Sequence, residues 1–337
     1  MKNTSNTPWL GGGLLALAGA IGFEQQPLFF ASWLAAWCFF AGAMLGASAI
    51  SCIHRLTGGR WGAALRPAIG LLRAPMLWLL PLFLPLLLGM GWLYPWWHGG
   101  DAGLWFGHAF VAFRLAVYAG GIALLARAGE PITSGSAAAR LLLWMVLGSL
   151  AAVDLLMSLT AGWTSSVFGW LVLCGQMTTG AAAAIALACM EQDPRDAAWR
   201  DLGNLLLMFV MLQAYLQYMQ LLIIWAENLP REISWYLPRL NGGWRFVGLA
   251  LIVLQFAAPL LALLFRRIKD APRRLGLVAL VVLAMQALGS AWLVLPSVEA
   301  ESYAGWWLLP LIGAGMGLLL FGPALRRRGA GVQIARG

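Results

Sequence analysis

The chain has 337 residues, of which 61% are apolar and 10% are charged. Soluble domains carry about 25% charged residues, so one large soluble core is excluded. The net charge of +9 does not indicate a nucleic-acid-binding domain, because the basic residues lie in short segments between long apolar blocks. The 19 Trp are typical of a membrane protein, since indole favours the membrane–water interface.

In chain order, the apolar blocks predict about ten transmembrane helices, each long enough or nearly so for a hydrocarbon core of about 30 Å. The predicted spans are 8–23, 27–53, 69–93, 104–127, 139–160, 164–190, 201–226, 244–265, 274–296 and 303–325. We interpret the first as a retained helix, because no small-residue cleavage site followed by a soluble domain appears. The predicted fold is an all-α polytopic membrane protein, with residues 1–337 forming one transmembrane domain.

The basic residues between these spans predict an orientation. One side of the membrane, which holds both termini, receives 18 Lys and Arg, and the other side receives 3. Cytoplasmic loops carry the excess of Lys and Arg, so both termini are expected in the cytoplasm.

Two charged residues lie deep inside predicted spans, Arg114 in the fourth and Asp154 in the fifth. Each alone in lipid costs about 3 kcal/mol or more. At a rise of about 1.5 Å per residue, Arg114 lies roughly 15 Å and Asp154 roughly 9 Å below the outer ends of their spans, so the two can meet. Helical spacing adds Tyr118 and Ser158 to this cluster. The cluster is either a structural ion pair, or a proton relay or polar partner for a quinone headgroup, and both interpretations stay open.

The seventh predicted span is polar for a membrane helix. Gln213, Gln217 and Gln220 are spaced i, i+4, i+7, which places them on one stripe. This stripe predicts either interhelical hydrogen bonds or a hydrated path lined by amides. The full set of candidates for a proton path or quinone contact is Asp154, Arg114, Tyr118, Ser158, His108, Gln213 and Gln217.

The sequence offers no signature of a bound redox cofactor. Membrane haem needs histidines paired at matching depth, but His54, His98 and His108 lie at span ends or in a loop. The 4 cysteines form no CxxC or CxxCH spacing, which argues against iron–sulfur clusters and covalent haem. No Walker sequence is present, so an ATP-driven transporter would need a separate ATPase. We assign the chain no catalytic or metal-binding residue and expect any redox centre to belong to partners.

Four segments, in this order, resemble one known family. They are HRLTGGRWG at 54–62, the stretch 154–169 with DLLMSL and GWTSSVFG, the stretch 213–230 with QAYLQY and IIWAENLP, and WYLPRLNGGW at 235–244. Together they resemble the ActF-like membrane subunit of bacterial alternative complex III, a quinol:electron-acceptor oxidoreductase. This subunit belongs to the NrfD/polysulfide reductase membrane-subunit superfamily. The resemblance runs from about the second predicted span to the ninth.

The resemblance implies an architecture and a set of partners. The implied fold has two four-helix bundles, about 27–160 and 164–296, flanked by helices 8–23 and 303–325. The implied partners in the bacterial inner membrane are an NrfD-like membrane subunit, an iron–sulfur subunit and haem c subunits, with a terminal oxidase as a further candidate. The sister NrfD-like subunit is the better candidate for the quinol site. A quinone or quinol stays a candidate ligand of this chain, and proton translocation a candidate role with Asp154 as carrier.

Two other readings compete with this one. A stand-alone secondary transporter would need broken helices and a midplane site, and Pro81, Pro85 and Pro259 lie where they can break spans. The chain could instead be the NrfD-like quinol-binding subunit itself, although the seventh span and the following loop argue against this. Copurification with haem c and iron–sulfur proteins discriminates the subunit from the transporter.

Overall fold

The computed structural model describes residues 7–22, 24–99, 103–131, 133–191, 198–298 and 305–334, and every regular element in these ranges is a helix. The α-helices are α1 (Thr7–Gly22), α2 (Gln26–Thr57), α3 (Trp61–Arg73), α4 (Leu79–Leu88), α5 (Met90–Leu93), α6 (His108–Arg127), α7 (Ser134–Leu155), α8 (Phe168–Glu191), α9 (Trp199–Glu227), α10 (Pro230–Ile233), α11 (Leu237–Leu240), α12 (Trp244–Ala250), α13 (Ala258–Leu264), α14 (Arg266–Lys269), α15 (Pro272–Val298) and α16 (Gly305–Ile334). Short 3₁₀ helices occupy Met76–Trp78, Pro95–Trp97 and Met157–Leu159, and a π-helix occupies Leu251–Ala257. The predicted all-α fold is confirmed.

Within the described ranges, eight helical segments are long and apolar enough to cross a membrane. They are Gln26–Thr57, Trp61–Leu88, His108–Arg127, Ser134–Leu159, Phe168–Met190, Trp199–Glu227, Trp244–Leu264 and Pro272–Val298. Two shorter apolar helices, Thr7–Gly22 and Trp307–Pro323, correspond to the first and last predicted spans. The chain is therefore a multi-pass membrane protein.

The third predicted span, 69–93, is wrong in two respects. Its start is misplaced, and it is not one continuous helix. The helical segment begins at Trp61, within the connection that was expected to be a loop, and α3 ends at Arg73. A 3₁₀ turn follows Pro75, and α4 ends at Leu88. Proline removes a backbone donor and crowds the preceding turn, which explains a helix broken into pieces here.

Helices α2 and α8 form the centre of the molecule, and both are buried along most of their length. Two glycines allow their backbones to touch. A Cβ on Gly46 would overlap the carbonyl oxygen of Gln176, and a Cβ on Gly180 would overlap the backbone of Ala47 and Gly46. Of the two glycines that α2 spaces four residues apart, Gly42 and Gly46, only Gly46 is needed for this close approach, since a Cβ on Gly42 would make only ordinary contacts.

Helices α1 and α16 pack on each other, and α16 also packs on α2. A Cβ on Gly11 would lie 2.8 Å from the carbonyl oxygen of Gly315, so this pair also depends on glycine. The nearby Gly313 does not take part in this contact, because open space lies where its Cβ would be.

The segment Trp244–Leu264 contains the π-helix between α12 and α13. Pro259 cannot donate to the carbonyl of Gln255, four residues earlier, which disfavours α-helical bonding at this point. π-helical turns are rare in proteins overall, but those that occur are often at functional sites. This one buries Leu251 and Gln255.

Candidate functional site

A buried ion pair joins α6 and α7. The Nε of Arg114 donates to Oδ2 of Asp154 at 2.7 Å, and its Nη2 donates to Oδ1 at 3.1 Å. Their side chains are only 7% and 5% exposed. The structure therefore brings together the two intramembrane charges that the sequence singled out.

Two further donors complete the shell of Asp154. The Tyr118 hydroxyl donates to Oδ2 at 2.6 Å, and the Trp105 indole donates to Oδ1 at 3.1 Å. The remaining Nη1 of Arg114 donates to the Trp105 carbonyl at 2.7 Å, and its guanidinium lies 4.3 Å from the Trp105 ring centroid. Four donors and one full positive charge surround the carboxylate, an arrangement that fixes its position.

Ser158 and His108 lie outside this shell. Helix α7 ends at Leu155, so Ser158 is in a 3₁₀ turn, and its hydroxyl donates to the backbone carbonyl of Asp154 at 2.5 Å. Ser158 was expected beside the carboxylate, on the same helical face as Asp154. This expectation is wrong, because α7 ends at Leu155, before it reaches Ser158. His108 is exposed, its ring centroid lies 4.4 Å from that of Trp97, and its Nε2 lies 3.3 Å from the Trp97 carbonyl oxygen.

A cavity of about 580 Å³ lies next to the ion pair, and we call it the central cavity. Its walls come from α2, α4, α6, α7, α8, α9, the π-helix and α15, and most of the lining side chains are apolar. Tyr118 and His108 line it. Tyr118 therefore connects Asp154 to the cavity, because its hydroxyl bonds the carboxylate and its side chain forms part of the wall.

Glutamines line another part of the same cavity. Gln213 and Gln286 bond each other across α9 and α15, with Gln286 Nε2 donating to Gln213 Oε1 at 2.6 Å. Gln176 accepts from the Trp144 indole at 2.9 Å, and Gln217 and Gln255 also line the cavity. The stripe predicted on the seventh span thus faces inward: Gln213 is in an interhelical bond, and Gln217 is on the cavity wall.

Several of these residues were not singled out from the sequence. Trp105, Gln176, Gln255 and Gln286 are scattered among apolar segments, and no spacing rule links them. The available signal was their chemistry: an amide in the middle of an apolar span needs a partner, just as a charge does.

The segment 228–243 between α9 and α12, which we call the outer connection after its predicted side of the membrane, contributes Trp235 and Arg239 to an aromatic cluster. We define this cluster as Trp163, Trp235, Trp292 and Arg239. Trp163 and Trp235 stack at 5.1 Å, and the guanidinium of Arg239 lies 3.6 Å from the Trp235 ring centroid. Arg239 is 1% exposed and donates to the carbonyls of Trp235, Trp292 and Leu293 and to the Ser297 hydroxyl. Burial lowers the pKa of the Arg239 guanidinium, while these acceptors favour its charged form. The cluster fixes the outer connection against α15.

The histidines do not face one another as ligands. His54 contacts the Gly59 carbonyl, and His98 contacts the Gly91 carbonyl, each at 3.0 Å. Across the part of the chain that the structure describes, no group of three or more His, Cys, Asp or Glu side chains is placed to hold a metal ion.

No protein-family model matches the chain, and no curated protein matches it.

Proposed function

We propose that the chain is a membrane subunit, without a redox centre of its own, of a quinol-oxidising respiratory complex of the alternative complex III type in the bacterial inner membrane. Its role in that complex is to support electron transfer from quinol to cytochrome c or another acceptor and to carry protons through the Asp154 cluster. The haem c and iron–sulfur centres would belong to partner subunits, and an NrfD-like subunit would lie beside it in the membrane.

The observation that carries this proposal is the meeting of two of the resembling segments. Trp163 comes from the stretch 154–169, and Trp235 and Arg239 come from 235–244, yet they form one cluster. The Trp163 indole also donates to the Glu232 carbonyl at 3.1 Å. These two segments are about 70 residues apart in the sequence, yet they contact each other in the fold. Their contact supports the resemblance better than two isolated motifs would.

The proton role is supported by the position of Tyr118. A relay needs a group that takes a proton on one side and gives it up on the other. The Tyr118 hydroxyl donates to Asp154, and its side chain lines the central cavity. In this relay the phenol oxygen of Tyr118 accepts a proton from the cavity while the phenol proton moves to Asp154. The tyrosine itself is left unchanged. For this step the bond from Arg114 must loosen, because the oxygen that would take the proton, Oδ2 of Asp154, also accepts from the Arg114 Nε.

Copurification tests the assignment. We expect a tagged chain, extracted from native membranes in mild detergent, to bring down haem c and iron–sulfur proteins in fixed ratio. A matched control is an unrelated tagged multi-pass protein expressed to the same level. Isolation of the chain alone, at full yield and without haem absorbance, would reject the proposal.

A second candidate function is a stand-alone secondary transporter. The break between α3 and α4, the π-helix and the central cavity favour it, since transporter sites lie near the midplane beside discontinuous helices. The same copurification decides between the two, because a transporter would be recovered without redox partners.

A further inference from the structure

A short connection joins two of the helical segments that are long enough to cross the membrane. Only residues 265–271 separate Leu264 from Pro272. Four exposed arginines lie in this connection and in the first turn of α15. We call them the basic turn, and they are Arg266, Arg267, Arg273 and Arg274. Since the spans on both sides are apolar, the four charges lie at the boundary between lipid and water.

The charge of the basic turn is not balanced within the described part of the chain. The one acidic residue between these arginines, Asp270, accepts hydrogen bonds from the Nε and Nη2 of Arg200 at 3.0 and 2.7 Å, and these bonds lower the pKa of Asp270. Lys269 is only 9% exposed and donates to Asn204 Oδ1 at 2.7 Å. The four arginines make no side-chain hydrogen bond or ion pair with a described residue. One carboxylate that already binds Arg200 leaves most of their charge uncompensated.

Exposed apolar side chains lie immediately before the basic turn. Leu261, Leu264 and Phe265 are 60%, 60% and 65% exposed. Leu261 and Leu264 are three residues apart, so they share one face of α13. At the end of a membrane-spanning segment, such side chains meet the acyl chains of lipids. Uncovered apolar surface and uncompensated positive charge therefore adjoin each other at this place.

The chemistry of the four side chains selects a phosphate. A guanidinium presents a planar set of donors that matches a phosphate with two parallel hydrogen bonds, and it is more weakly hydrated than an ammonium. The one lysine of this stretch, Lys269, is the residue that is buried and bonded. A zwitterionic headgroup would bring its own ammonium beside the arginines, so a headgroup with net negative charge fits better.

We propose that the basic turn binds the headgroup of an anionic phospholipid, whose acyl chains lie against Leu261, Leu264 and Phe265. The headgroup phosphate accepts hydrogen bonds from the exposed guanidinium groups. Basic clusters directly beside membrane-spanning helices attract anionic lipids in this way. This inference goes beyond the proposed function, because neither electron transfer nor a proton path through Asp154 requires a bound phospholipid.

The test compares two lipids with the same acyl chains. The purified full-length chain in detergent is titrated with dioleoylphosphatidylglycerol and with dioleoylphosphatidylcholine, and bound lipid is measured by native mass spectrometry. Each arginine beside an anionic headgroup corresponds to about fivefold in affinity, so two of them should favour the phosphatidylglycerol about 25-fold. Glycerophosphoglycerol, which is the same headgroup without acyl chains, separates a lipid site from a site for a soluble anion and should bind much more weakly than the lipid.

Paired substitutions assign the preference to the basic turn. Arg266→Gln with Arg267→Gln should lower the affinity for phosphatidylglycerol about 25-fold and leave that for phosphatidylcholine unchanged. The matched control, Arg60→Gln with Arg127→Gln, removes the same charge from exposed positions on two other connections and should keep the preference. Thermal unfolding checks that each variant is folded. Arg273→Gln with Arg274→Gln should act in the same direction as the first pair and serves if that pair does not fold.

Four results would overturn the inference. They are equal affinity for the two lipids, an equal loss of preference in the control pair, binding of glycerophosphoglycerol as tight as that of the lipid, and tighter binding of a polyglutamate peptide, which would indicate an acidic protein partner instead. None of them bears on copurification with redox partners, so this inference and the proposed function can fail separately.

Discussion

Asp154 and Tyr118 take different parts in the same cluster. Asp154 accepts four hydrogen bonds, two of them from Arg114, so it is held as part of a buried pair. Removing one partner of such a pair typically costs about 3–5 kcal/mol, because the other charge is left uncompensated. Tyr118 adds one bond to the carboxylate and also reaches the cavity wall. Its hydroxyl can therefore be removed with less structural damage than either charge.

We predict that Tyr118→Phe reduces proton translocation by the complete complex about a hundredfold or more, the lower end of what a positioned acid–base group contributes. The phenylalanine keeps the ring and leaves the Arg114–Asp154 pair in place, so assembly should be retained with a stability loss of about 1.5–3 kcal/mol, as for other hydrogen bonds to a charged group. Proton uptake by vesicles carrying the complex, with haem content as the measure of assembly, gives both quantities.

Tyr94→Phe is the control for this variant. The Tyr94 hydroxyl is also buried, but it donates to the Leu155 carbonyl at 3.0 Å rather than to the carboxylate. Translocation should stay near the wild-type rate in Tyr94→Phe. A Tyr118→Phe complex that assembles and translocates like wild type would exclude the tyrosine from the path.

A paired substitution separates the relay from a purely structural ion pair. Asp154→Asn alone leaves the Arg114 charge buried and uncompensated, so assembly is expected to suffer. Asp154→Asn combined with Arg114→Gln removes both charges and should restore assembly. If Asp154 carries protons, the assembled double variant should translocate at least about tenfold more slowly than wild type. Full translocation in the double variant would show that the pair only joins the two helices.

The charged part of this site could be predicted from the sequence, and the amide part could not. Arg114 and Asp154 stand out because a charge in an apolar span must find a partner. Trp105 lies in the connection before α6, and nothing local indicates that its indole reaches Asp154. Gln255 and Gln286 meet the cavity only through the packing of the π-helix, α9 and α15, which depends on distant parts of the chain.

At the scale of the helices, glycine determines how closely α2 and α8 approach. We predict that Gly46→Ala lowers stability in detergent by about 1–3 kcal/mol, as overpacking does, because its Cβ would overlap the Gln176 carbonyl oxygen. Gly120→Ala in α6 is the matched control, since nothing lies within 4 Å of its Cβ position. Thermal unfolding of both proteins measures the difference. Equal melting temperatures would mean that the two helices are not in backbone contact at Gly46.

The presence of each long helix could be predicted from the sequence, but the positions of the helix ends depend on particular residues. Long apolar blocks indicated the spans because the bilayer sets their length. The start of α3 at Trp61 was missed because an amphipathic segment with arginines resembles a loop in a hydropathy reading. The fifth predicted span, 139–160, ends where the helical segment Ser134–Leu159 does, but the change from α-helix to a 3₁₀ turn after Leu155 was not predicted, because apolar residues continue through it.

At the scale of the whole molecule, the charge asymmetry predicts orientation. The helices that cross the membrane carry few charges, so the 18-to-3 division of Lys and Arg lies almost entirely in the connections and termini. The outer connection is covered by its own aromatic cluster, where Arg239 bonds backbone carbonyls. That arginine is therefore structural, which leaves only Arg231 and Arg245 as exposed basic residues on this side among the described residues.

We predict that both termini lie in the cytoplasm and that the connection 227–243 lies outside it. Retention of Lys and Arg on the cytoplasmic side is the physical cause, since their transfer across the membrane during insertion is disfavoured. Paired reporter fusions, one active only in the periplasm and one only in the cytoplasm, placed after residue 337 and within 227–243, should report opposite sides. A fusion after Arg127, in the connection between α6 and α7, is the internal control and should agree with the C-terminal one. Periplasmic signals after both residue 337 and Arg127 would overturn the orientation and would place the Asp154 cluster in the cytoplasmic half of the membrane. A periplasmic signal after residue 337 alone would overturn the even number of crossings.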